Sequence, residues 1–188
     1  MNFILAHISL WQSVNILFVF VLVFFGFKYL ETFWSYKISK PHAWEKAVKE
    51  KLVSKDLIRI ERSYRDRVRF YNLWFQVEQL QKNKVAGAFA ALGVHKGETA
   101  RAIHHMDPNR IFYLFDTFEG FSQKDLVLEK QKDDRFTTDM FADTSVEKVQ
   151  HYMKGNDNLR FKPGFFPETS VGLESEKFAL VHIDADLY

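Results

Sequence analysis

The sequence predicts an α/β protein with a parallel sheet, preceded by a membrane helix and a helical segment. From residue 85 onward, short apolar segments alternate with helix-like segments, and two of the apolar segments end in an aspartate. This alternation is typical of a right-handed parallel sheet. At the other end of the chain, residues 1–27 contain no Asp, Glu, Lys or Arg, which predicts a helix in contact with lipid.

The composition excludes several classes of protein. The chain has 188 residues, of which 47% are hydrophobic and 27% are charged, so a folded domain is expected rather than a disordered one. The formal net charge is only +2, so we expect no nucleic-acid partner. The absence of Cys excludes disulfides, Cys-ligated zinc and thiol catalysis.

The N-terminal segment has the length of a membrane span. Residues 16–25, "ILFVFVLVFF", are wholly apolar, and a helix from Trp11 to Tyr29 would be about 27 Å long with an aromatic residue at each interface. We therefore predict a transmembrane anchor in residues 1–30 that contacts the membrane through residues 8–27. The alternative is a helix buried against the domain or lying in the membrane surface. A cleaved signal peptide fits less well because no basic residue precedes the apolar run.

The charges after this segment predict its orientation. Lys28, Lys37 and Lys40 follow the apolar run against a single acid, Glu31. By the positive-inside rule, the remainder of the chain lies in the cytoplasm. The prediction is a single-pass membrane protein with its C-terminal domain in the cytoplasm.

Residues 31–84 are predicted to form a helical linker and lid segment. Pro41 is suited to the first turn of a short helix, and Ser54 can cap a longer one. The predicted long helix has one apolar face, formed by Leu57, Ile60, Tyr64, Val68, Tyr71 and Phe75.

The opposite face of that helix is rich in arginine. Glu61 and Asp66 are interspersed among the basic residues, which favours a solvated helix surface over a strong lipid-binding site. The basic residues are Arg59, Arg62, Arg65, Arg67 and Arg69.

Residues 85–188 carry the predicted sheet. Four strands are expected, at Ala88–Val94, at Arg110–Asp116, in "LRFKPGFF" ending near Pro163, and in "FALVHID". Thr144 and Glu147 have the spacing of a capping box, which predicts a helix from there toward residue 154.

A glycine turn and an aspartate are the first candidates for a ligand site. Gly93 and Gly97 follow the first strand, where a turn can approach a ligand closely, although steric reasons alone can also place glycines there. Asp116 lies 23 residues after Gly93, which is close to the spacing of a ribose-binding acid in nucleotide-binding sheets. An aspartate at a strand end can equally cap a turn.

Five sequence blocks in residues 85–188 resemble the macrocin O-methyltransferase family, the TylF/MycF/NovP-like methyltransferases. They are "GAFAALGVHKGETA", "YLFDTFEGF", "FADTSVE", "FKPGFFPET" and "FALVHIDADLY". The resemblance implies a Rossmann-like class I methyltransferase fold with S-adenosylmethionine as methyl donor and Mg²⁺ at the acceptor hydroxyl. It also implies an acceptor hydroxyl on a sugar or a similar polar molecule, which can be a small molecule or a glycan.

The resemblance also implies roles for individual residues. Asp116 would bind the cofactor ribose, and Asp184 would be a metal ligand, since Mg²⁺ prefers carboxylate oxygens and lowers the pKa of a bound hydroxyl. Asp186 is a second acid, which could equally cap a turn, and His182 is expected to be structural. The cofactor-binding residues implied by the matching motifs are Gly93, Val94, Gly97, Asp116, Thr117 and Phe118.

Two departures from the family pattern bear on activity. Ala91 stands where family members usually have Glu, so weaker cofactor binding is expected. The sequence stops after "DADLY", whereas the resembling proteins continue with a helix and three more strands. We therefore expect an incomplete sheet with only the first four parallel strands, truncated at its C-terminus, and a chain that is unstable or catalytically silent alone.

Two other functions stay open at this point. A non-catalytic, membrane-anchored remnant or interaction protein is compatible with both departures, and the residues leave a homo-oligomer open. A nicotinamide-dependent enzyme is disfavoured because the turn lacks the G-x-G-x-x-G pattern. His104 and His105 are adjacent on a predicted helix and are expected on the surface.

Overall fold

The computed structural model describes residues 9–35, 40–120 and 143–185. The chain divides into two compact units, residues 1–42 and residues 43–188.

The first unit contains one long helix, α1, from Leu10 to Ser35. The 22 residues Leu10–Glu31 form a helix that is long and apolar enough to cross a membrane. No residue in its most apolar stretch is buried against the rest of the protein. The exposed rings of Trp11 and Tyr29 lie near its two ends. A signal sequence would show the same length and composition, so the helix is a candidate span.

The second unit combines helices with a parallel sheet. Helices α2 to α4 precede the first strand, α5 joins the first two strands, and α6 lies between the second and third. The helices are α2 His42–Lys49, α3 Lys55–Ser63, α4 Arg67–Lys82, α5 Glu98–Met106 and α6 Val146–Met153, with a 3₁₀ turn at Glu168–Ser170. The strands are β1 Ala88–Leu92, β2 Phe112–Asp116, β3 Leu159–Pro163 and β4 Phe178–Ile183.

The prediction of one long helix after Ser54 is wrong. Ser54 does cap α3 by accepting the Leu57 N–H at 3.1 Å, but the chain leaves the helix at Tyr64, which has extended backbone angles. Asp66 then starts α4 by accepting the Arg69 N–H at 2.9 Å. The short Asp side chain satisfies a donor that a continuous helix would have bonded internally, so it favours a new helix start.

The four described strands are all parallel and lie in the order β3-β2-β1-β4. The predicted α/β class is therefore confirmed, and each of the four predicted strands is present. The connections place β2 and β3 on one side of β1 and β4 on the other. The chain thus changes direction across the sheet between β1 and β4, and in open α/β sheets ligands bind outside the carboxyl ends of the strands at such a switch point.

One face of the sheet packs against the helices. Phe89 and Leu114 are fully buried there, and Ala91 is 2% exposed. The ring of Trp44 in α2 packs edge-on against Phe70, at 5.3 Å, and Trp74, at 5.2 Å, both in α4. Such aromatic contacts add to the free energy of burial, so α2 to α4 form one core with the sheet.

A polar cluster is enclosed in the same core. Glu61 in α3 is fully buried and accepts hydrogen bonds from the Tyr71 hydroxyl, at 2.8 Å, and from Arg67. Burial and the bond to Glu61 raise the pKa of Tyr71. A buried carboxylate requires such hydrogen-bond partners. The bonds from Arg67 and Tyr71 therefore join α4 to Glu61 of α3, across the helix break that the sequence did not predict.

The other face of the sheet is less covered. The chain after β3 lies across part of it and encloses a cavity of about 290 Å³. At β4, Val181 and Ile183 remain 52% and 63% exposed. The stabilising apolar contacts of the sheet are therefore concentrated on the helical face.

Two local predictions need correction. Helix α6 is capped by Ser145, which accepts the Lys148 N–H at 3.3 Å, so the predicted capping box at Thr144 is one residue too early. His104 was expected on the surface but is only 2% exposed. Burial, aided by the neighbouring His105, lowers the pKa of His104 to about 4, so this histidine is neutral at physiological pH.

Candidate functional site

The ends of three strands meet at one edge of the sheet, and three predicted site residues lie there. Gly93 follows β1, and its N–H donates to the Phe115 carbonyl in β2 at 3.0 Å. Asp184 follows β4, and its N–H donates to the Leu92 carbonyl in β1 at 2.9 Å. Asp116 ends β2. The structure therefore brings Gly93, Asp116 and Asp184 to the carboxyl ends of neighbouring parallel strands, as the sequence predicts.

Gly93 is required at this edge because two backbones approach each other closely. Its φ is +83°, in the left-handed region, and a Cβ at this position would lie 2.2 Å from the carbonyl oxygen of Asp184. No side chain fits that space. The glycine thus allows the turn after β1 to pass directly beside the end of β4.

Gly97 has a different steric role. Its φ is +81°, and a Cβ would lie 2.8 Å from the side chain of Val149 in α6. Gly97 is also the N-cap residue of α5, and among the residues described it contributes no side-chain cap. The uncapped N–H groups of a helix start attract polar or anionic ligand atoms.

Asp116 binds the backbone of the glycine turn. Its Oδ2 accepts the N–H groups of Val94, at 2.7 Å, and His95, at 2.8 Å, while its Oδ1 accepts the Phe118 N–H at 2.7 Å. The turn-capping interpretation of this aspartate is therefore observed directly. A carboxylate has about four acceptor positions, so about one remains for a ribose hydroxyl.

The other predicted cofactor residues lie around this carboxylate. Val94 and Phe118 are buried, at 7% and 3% exposure. Phe118 packs against Phe161 of β3, with ring centroids 5.8 Å apart. Val94 and Phe118 therefore present only backbone atoms to the carboxyl end of the sheet. The Thr117 hydroxyl donates to the Gly120 carbonyl at 2.9 Å, which closes the turn after β2.

Asp143 and Thr144 contact the glycine turn on the side opposite to Asp116. The Thr144 hydroxyl donates to the His95 carbonyl at 3.1 Å. The Asp143 carboxylate lies 2.5 Å from the Lys96 ammonium, and this pairing lowers the pKa of Asp143. The turn is thus bound on one side by Asp116 and on the other by the start of the segment that leads into α6.

The β4 side of the edge contains a charged pair that the sequence did not predict. Arg69 in α4 donates to Asp184 Oδ2 at 3.1 Å, across 115 residues of sequence. Nε2 of His182 lies 3.9 Å from the same oxygen and is buried with no hydrogen-bond partner among the residues described. Burial lowers the pKa of His182, although the charge of Asp184 acts in the opposite direction.

The residues described do not fit a Mg²⁺ site. Within residues 9–35, 40–120 and 143–185, no group of three or more His, Cys, Asp or Glu could hold a metal ion. The partner of Asp184 is the Arg69 guanidinium, a cation, whereas Mg²⁺ needs several oxygen ligands. Asp186 lies outside the described residues.

Sequence reasoning missed the contribution of the helices that precede the sheet. Arg69 belongs to the arginine-rich face that predicts only a solvated surface. The Tyr64 hydroxyl also contacts the Thr99 hydroxyl in the first turn of α5, at 2.8 Å, and burial raises the pKa of Tyr64. The one available signal was Asp66, a capping residue that marks a new helix start in front of Arg69.

The chain matches a known protein family over most of its length. A sequence model of the family described as Macrocin-O-methyltransferase (TylF) matches residues 27–188. A curated relative is the 8-demethyl-8-(2,3-dimethoxy-alpha-L-rhamnosyl)-tetracenomycin-C 4'-O-methyltransferase of Streptomyces olivaceus. It is 27% identical over 132 residues, which cover 64% of this chain and 50% of the relative. The chain thus spans half the length of this relative.

Two solved structures are also similar. The O-methyltransferase NovP matches with a TM-score of 0.49 and 22% identity, over 64% of this chain and 54% of that chain. The calicheamicin methyltransferase CalS11 matches with a TM-score of 0.44 and 18% identity, over 97% of this chain and 70% of that chain.

Proposed function

Because the chain belongs to the TylF family of macrocin O-methyltransferases, we propose that it is an S-adenosylmethionine-dependent O-methyltransferase-like protein. The proposed acceptor is a hydroxyl group of a sugar or a similar polar molecule. The curated relative is named as a methyltransferase for a rhamnosyl compound, which supports this class of acceptor.

The observation that carries the proposal is the convergence at the switch point between β1 and β4. The glycine turn, the carboxylate of Asp116 and the charged end of β4 lie together at the edge where parallel α/β sheets bind ligands. The glycine turn is also fixed before any ligand arrives, because Asp116 binds two of its N–H groups. A fixed turn lowers the entropy cost of binding.

The proposed cofactor fits the chemistry of this edge. S-adenosylmethionine supplies an electrophilic methyl group on a sulfonium. We assign Gly93, Val94 and Gly97 to its binding as the turn that it contacts. Asp116 offers its remaining acceptor position to the ribose, and Thr117 lies beside it. The role of Phe118 is limited to its backbone, since its ring is buried in the core.

For α1, we propose a single membrane anchor. Its 22-residue apolar stretch and its exposed side chains support this role, and the lysines that follow support a cytoplasmic domain. Alkaline carbonate extraction of cell membranes tests it: the full chain is expected in the pellet, and recovery in the supernatant would contradict the anchor.

Calorimetry on the full chain in a mild nonionic detergent tests the cofactor. We expect binding of S-adenosylmethionine and S-adenosylhomocysteine and no binding of NADH. Asp116→Ala is expected to abolish this binding, and Asp56→Ala, at an exposed acid in α3 that pairs with Arg59, serves as the control. Failure to bind either adenosyl compound would contradict the proposed function.

A second candidate is a non-catalytic interaction protein of the same family. It is favoured by the pairing of the Asp184 carboxylate with the Arg69 guanidinium. The two candidates differ in methyl transfer. Radiolabelled methyl transfer from S-adenosylmethionine to a rhamnosylated acceptor supports the enzyme, whereas cofactor binding without transfer to any deoxysugar acceptor supports the interaction protein.

A further inference from the structure

The turn between α2 and α3 exposes an apolar side chain among lysines. Leu52 is 75% exposed, more than any other large apolar side chain described in the second unit. Lys49 ends α2, Lys51 directly precedes Leu52, and Lys55 begins α3. Each lysine is at most three residues from Leu52, so its Cα lies within about 11 Å of the Leu52 Cα. We call residues 49–55 the lysine turn.

The backbone of the lysine turn is fixed by hydrogen bonds. The Leu52 N–H donates to the Ala47 carbonyl at 2.9 Å, and the Lys51 N–H donates to the Val48 carbonyl at 3.1 Å. This is the pattern of a Schellman helix end, in which the residue at the Leu52 position commonly packs against the helix. Leu52 instead faces solvent, and Lys51 takes a φ of +60° where glycine is usual. The turn therefore holds a cation and an apolar side chain outward in a fixed shape.

The acids near the lysine turn already have partners. Glu50 Oε1 lies 3.9 Å from Lys46 Nζ, and Asp56 Oδ1 lies 2.9 Å from the Arg59 guanidinium. The three lysines of the turn are exposed and form no ion pair with any residue of the described ranges. The turn therefore keeps a local positive charge that is available to an anionic partner.

The lysine turn also follows the proposed anchor closely in the sequence. Ten residues, 32–41, separate Glu31 at the end of the apolar stretch from His42 at the start of α2, and ten residues extend over at most about 35 Å. A short tether raises the effective concentration of lipid, so even a weak surface contact is populated. An acidic protein in solution gains no such advantage. The cytoplasmic leaflet, on the predicted side of the domain, is also the one that carries anionic lipid.

We propose that the lysine turn docks on anionic lipid headgroups, with its three lysines at the phosphates and Leu52 inserted among the headgroups. This inference goes beyond the proposed methyl transfer and rests on the proposed anchor. Each lysine near an anionic surface favours the docked state by about fivefold, and burial of the Leu52 side chain adds to this. The docked turn holds the second unit in one orientation on the membrane.

Single cysteine probes test the docking, because the natural chain contains no Cys. The full chain is reconstituted into vesicles of phosphatidylcholine alone or of phosphatidylcholine and phosphatidylglycerol in equal parts. Leu52→Cys carries a nitrobenzoxadiazole dye, which doxyl-labelled lipids quench on contact with the bilayer. The matched control is Val171→Cys, which is 74% exposed but lies near the acids Glu168 and Glu174. Gly26→Cys, where nothing lies within 4 Å, reports the insertion of α1.

We expect the Leu52 probe to be quenched in vesicles with phosphatidylglycerol and hardly at all in phosphatidylcholine alone. Added salt should reverse the quenching, because it screens exposed charges. Lys49→Gln, Lys51→Gln and Lys55→Gln together should lower the ratio of docked to undocked probe by roughly a hundredfold. The Val171 probe should stay unquenched in both lipids. Circular dichroism establishes that each variant is folded.

Three results would overturn the inference. If the Gly26 probe is quenched but the Leu52 probe is not, even on anionic vesicles, the turn does not dock on lipid. The anchor then stands, and an acidic protein is left as the alternative partner of the turn. Undiminished quenching of the Leu52 probe in the lysine variant would show that charge plays no part. If the Gly26 probe is quenched in neither lipid, both the inference and the anchor fail.

Discussion

The two sides of the proposed cleft are held by different forces. On the β1 side, one carboxylate, Asp116, accepts three backbone N–H groups, and the turn passes the end of β4 with no room for a Cβ at Gly93. On the β4 side, the side chain of Asp184 is positioned by an ion pair with Arg69, and each partner is close to half exposed.

This difference separates a fixed side from an adjustable one. A donor left without its acceptor in a partly buried hydrogen bond costs about 1–3 kcal/mol, whereas an exposed ion pair contributes about 0–1 kcal/mol. The glycine turn is therefore preorganised for a ligand, while the charged pair can rearrange when a ligand arrives.

Gly93→Ala is expected to destabilise the protein most. The new Cβ would meet the Asp184 carbonyl at 2.2 Å, so two strand ends would have to separate. We expect a loss of at least about 3 kcal/mol in the free energy of unfolding, measured by denaturant titration. The matched control is Gly172→Ala, where φ is also positive but nothing lies within 4 Å, and where about 1–2 kcal/mol is expected. Equal losses would show that the close approach is unimportant.

Acid is expected to lower the free energy of unfolding through His104 in α5, the helix that follows the glycine turn. Because burial lowers its pKa from 6.5 to about 4, the unfolded chain binds a proton that the folded chain excludes. Stability is therefore fully present above pH 6.5 and falls as the pH drops toward 4, by about 3 kcal/mol for this group.

The variant His104→Leu isolates this effect from the titration of carboxylates. Urea unfolding at several pH values should show a shallower loss of stability between pH 6.5 and pH 4 than in the unmodified protein. His151→Leu, at an exposed position in α6, should keep the original pH dependence. Parallel pH profiles for the unmodified protein and the His104 variant would contradict the prediction.

Asp116→Asn tests the hydrogen bonds of the turn. An amide keeps one acceptor oxygen but places an NH₂ group against the N–H of Phe118 or those of Val94 and His95. We expect a loss of about 2 kcal/mol in the free energy of unfolding, from the donors left without an acceptor. The exposed Asp56→Asn should lose less than about 1 kcal/mol. A similar loss in both variants would mean that the turn does not depend on this carboxylate.

Arg69→Gln should have the smallest effect on stability. The pair that it breaks is close to half exposed, so we expect a change of less than about 1 kcal/mol in denaturant unfolding. A loss comparable with that of Gly93→Ala would abolish the contrast between the two sides, because it would make the ion pair a main support of the fold.

The strands were predictable because their signals are local. Strands β1, β2 and β4 each contain an apolar run, which suits parallel strands, and β3 alternates apolar and basic residues before Pro163 and Gly164. The glycine turn and Asp116 were predictable for the same reason. They lie at the ends of two consecutive strands, only 23 residues apart in the sequence. For these residues the sequence allows steric and capping roles as well as ligand-binding ones.

The missed features depend on contacts that no local pattern contains. The pairing of Arg69 with Asp184 joins residues 115 positions apart. Which of the two adjacent histidines is buried depends on tertiary packing. The chain after α6 passes close to His104, since a Cβ at Gly155 would lie 3.4 Å from its ring. The break between α3 and α4 contains no Gly or Pro, and only the capping ability of Asp66 indicates it.

Hydrogen exchange tests most directly whether the adenosyl cofactor binds at the edge between β1 and β4. The exchange of backbone amides is measured by mass spectrometry for the full chain in detergent, with and without S-adenosylhomocysteine. We predict slower exchange in residues 92–99 and in α4 around Arg69, with no change at the opposite edge of the sheet, in residues 156–160. Unchanged exchange in residues 92–99, with protection only at the cavity beside Phe166 and Val181, would contradict the account.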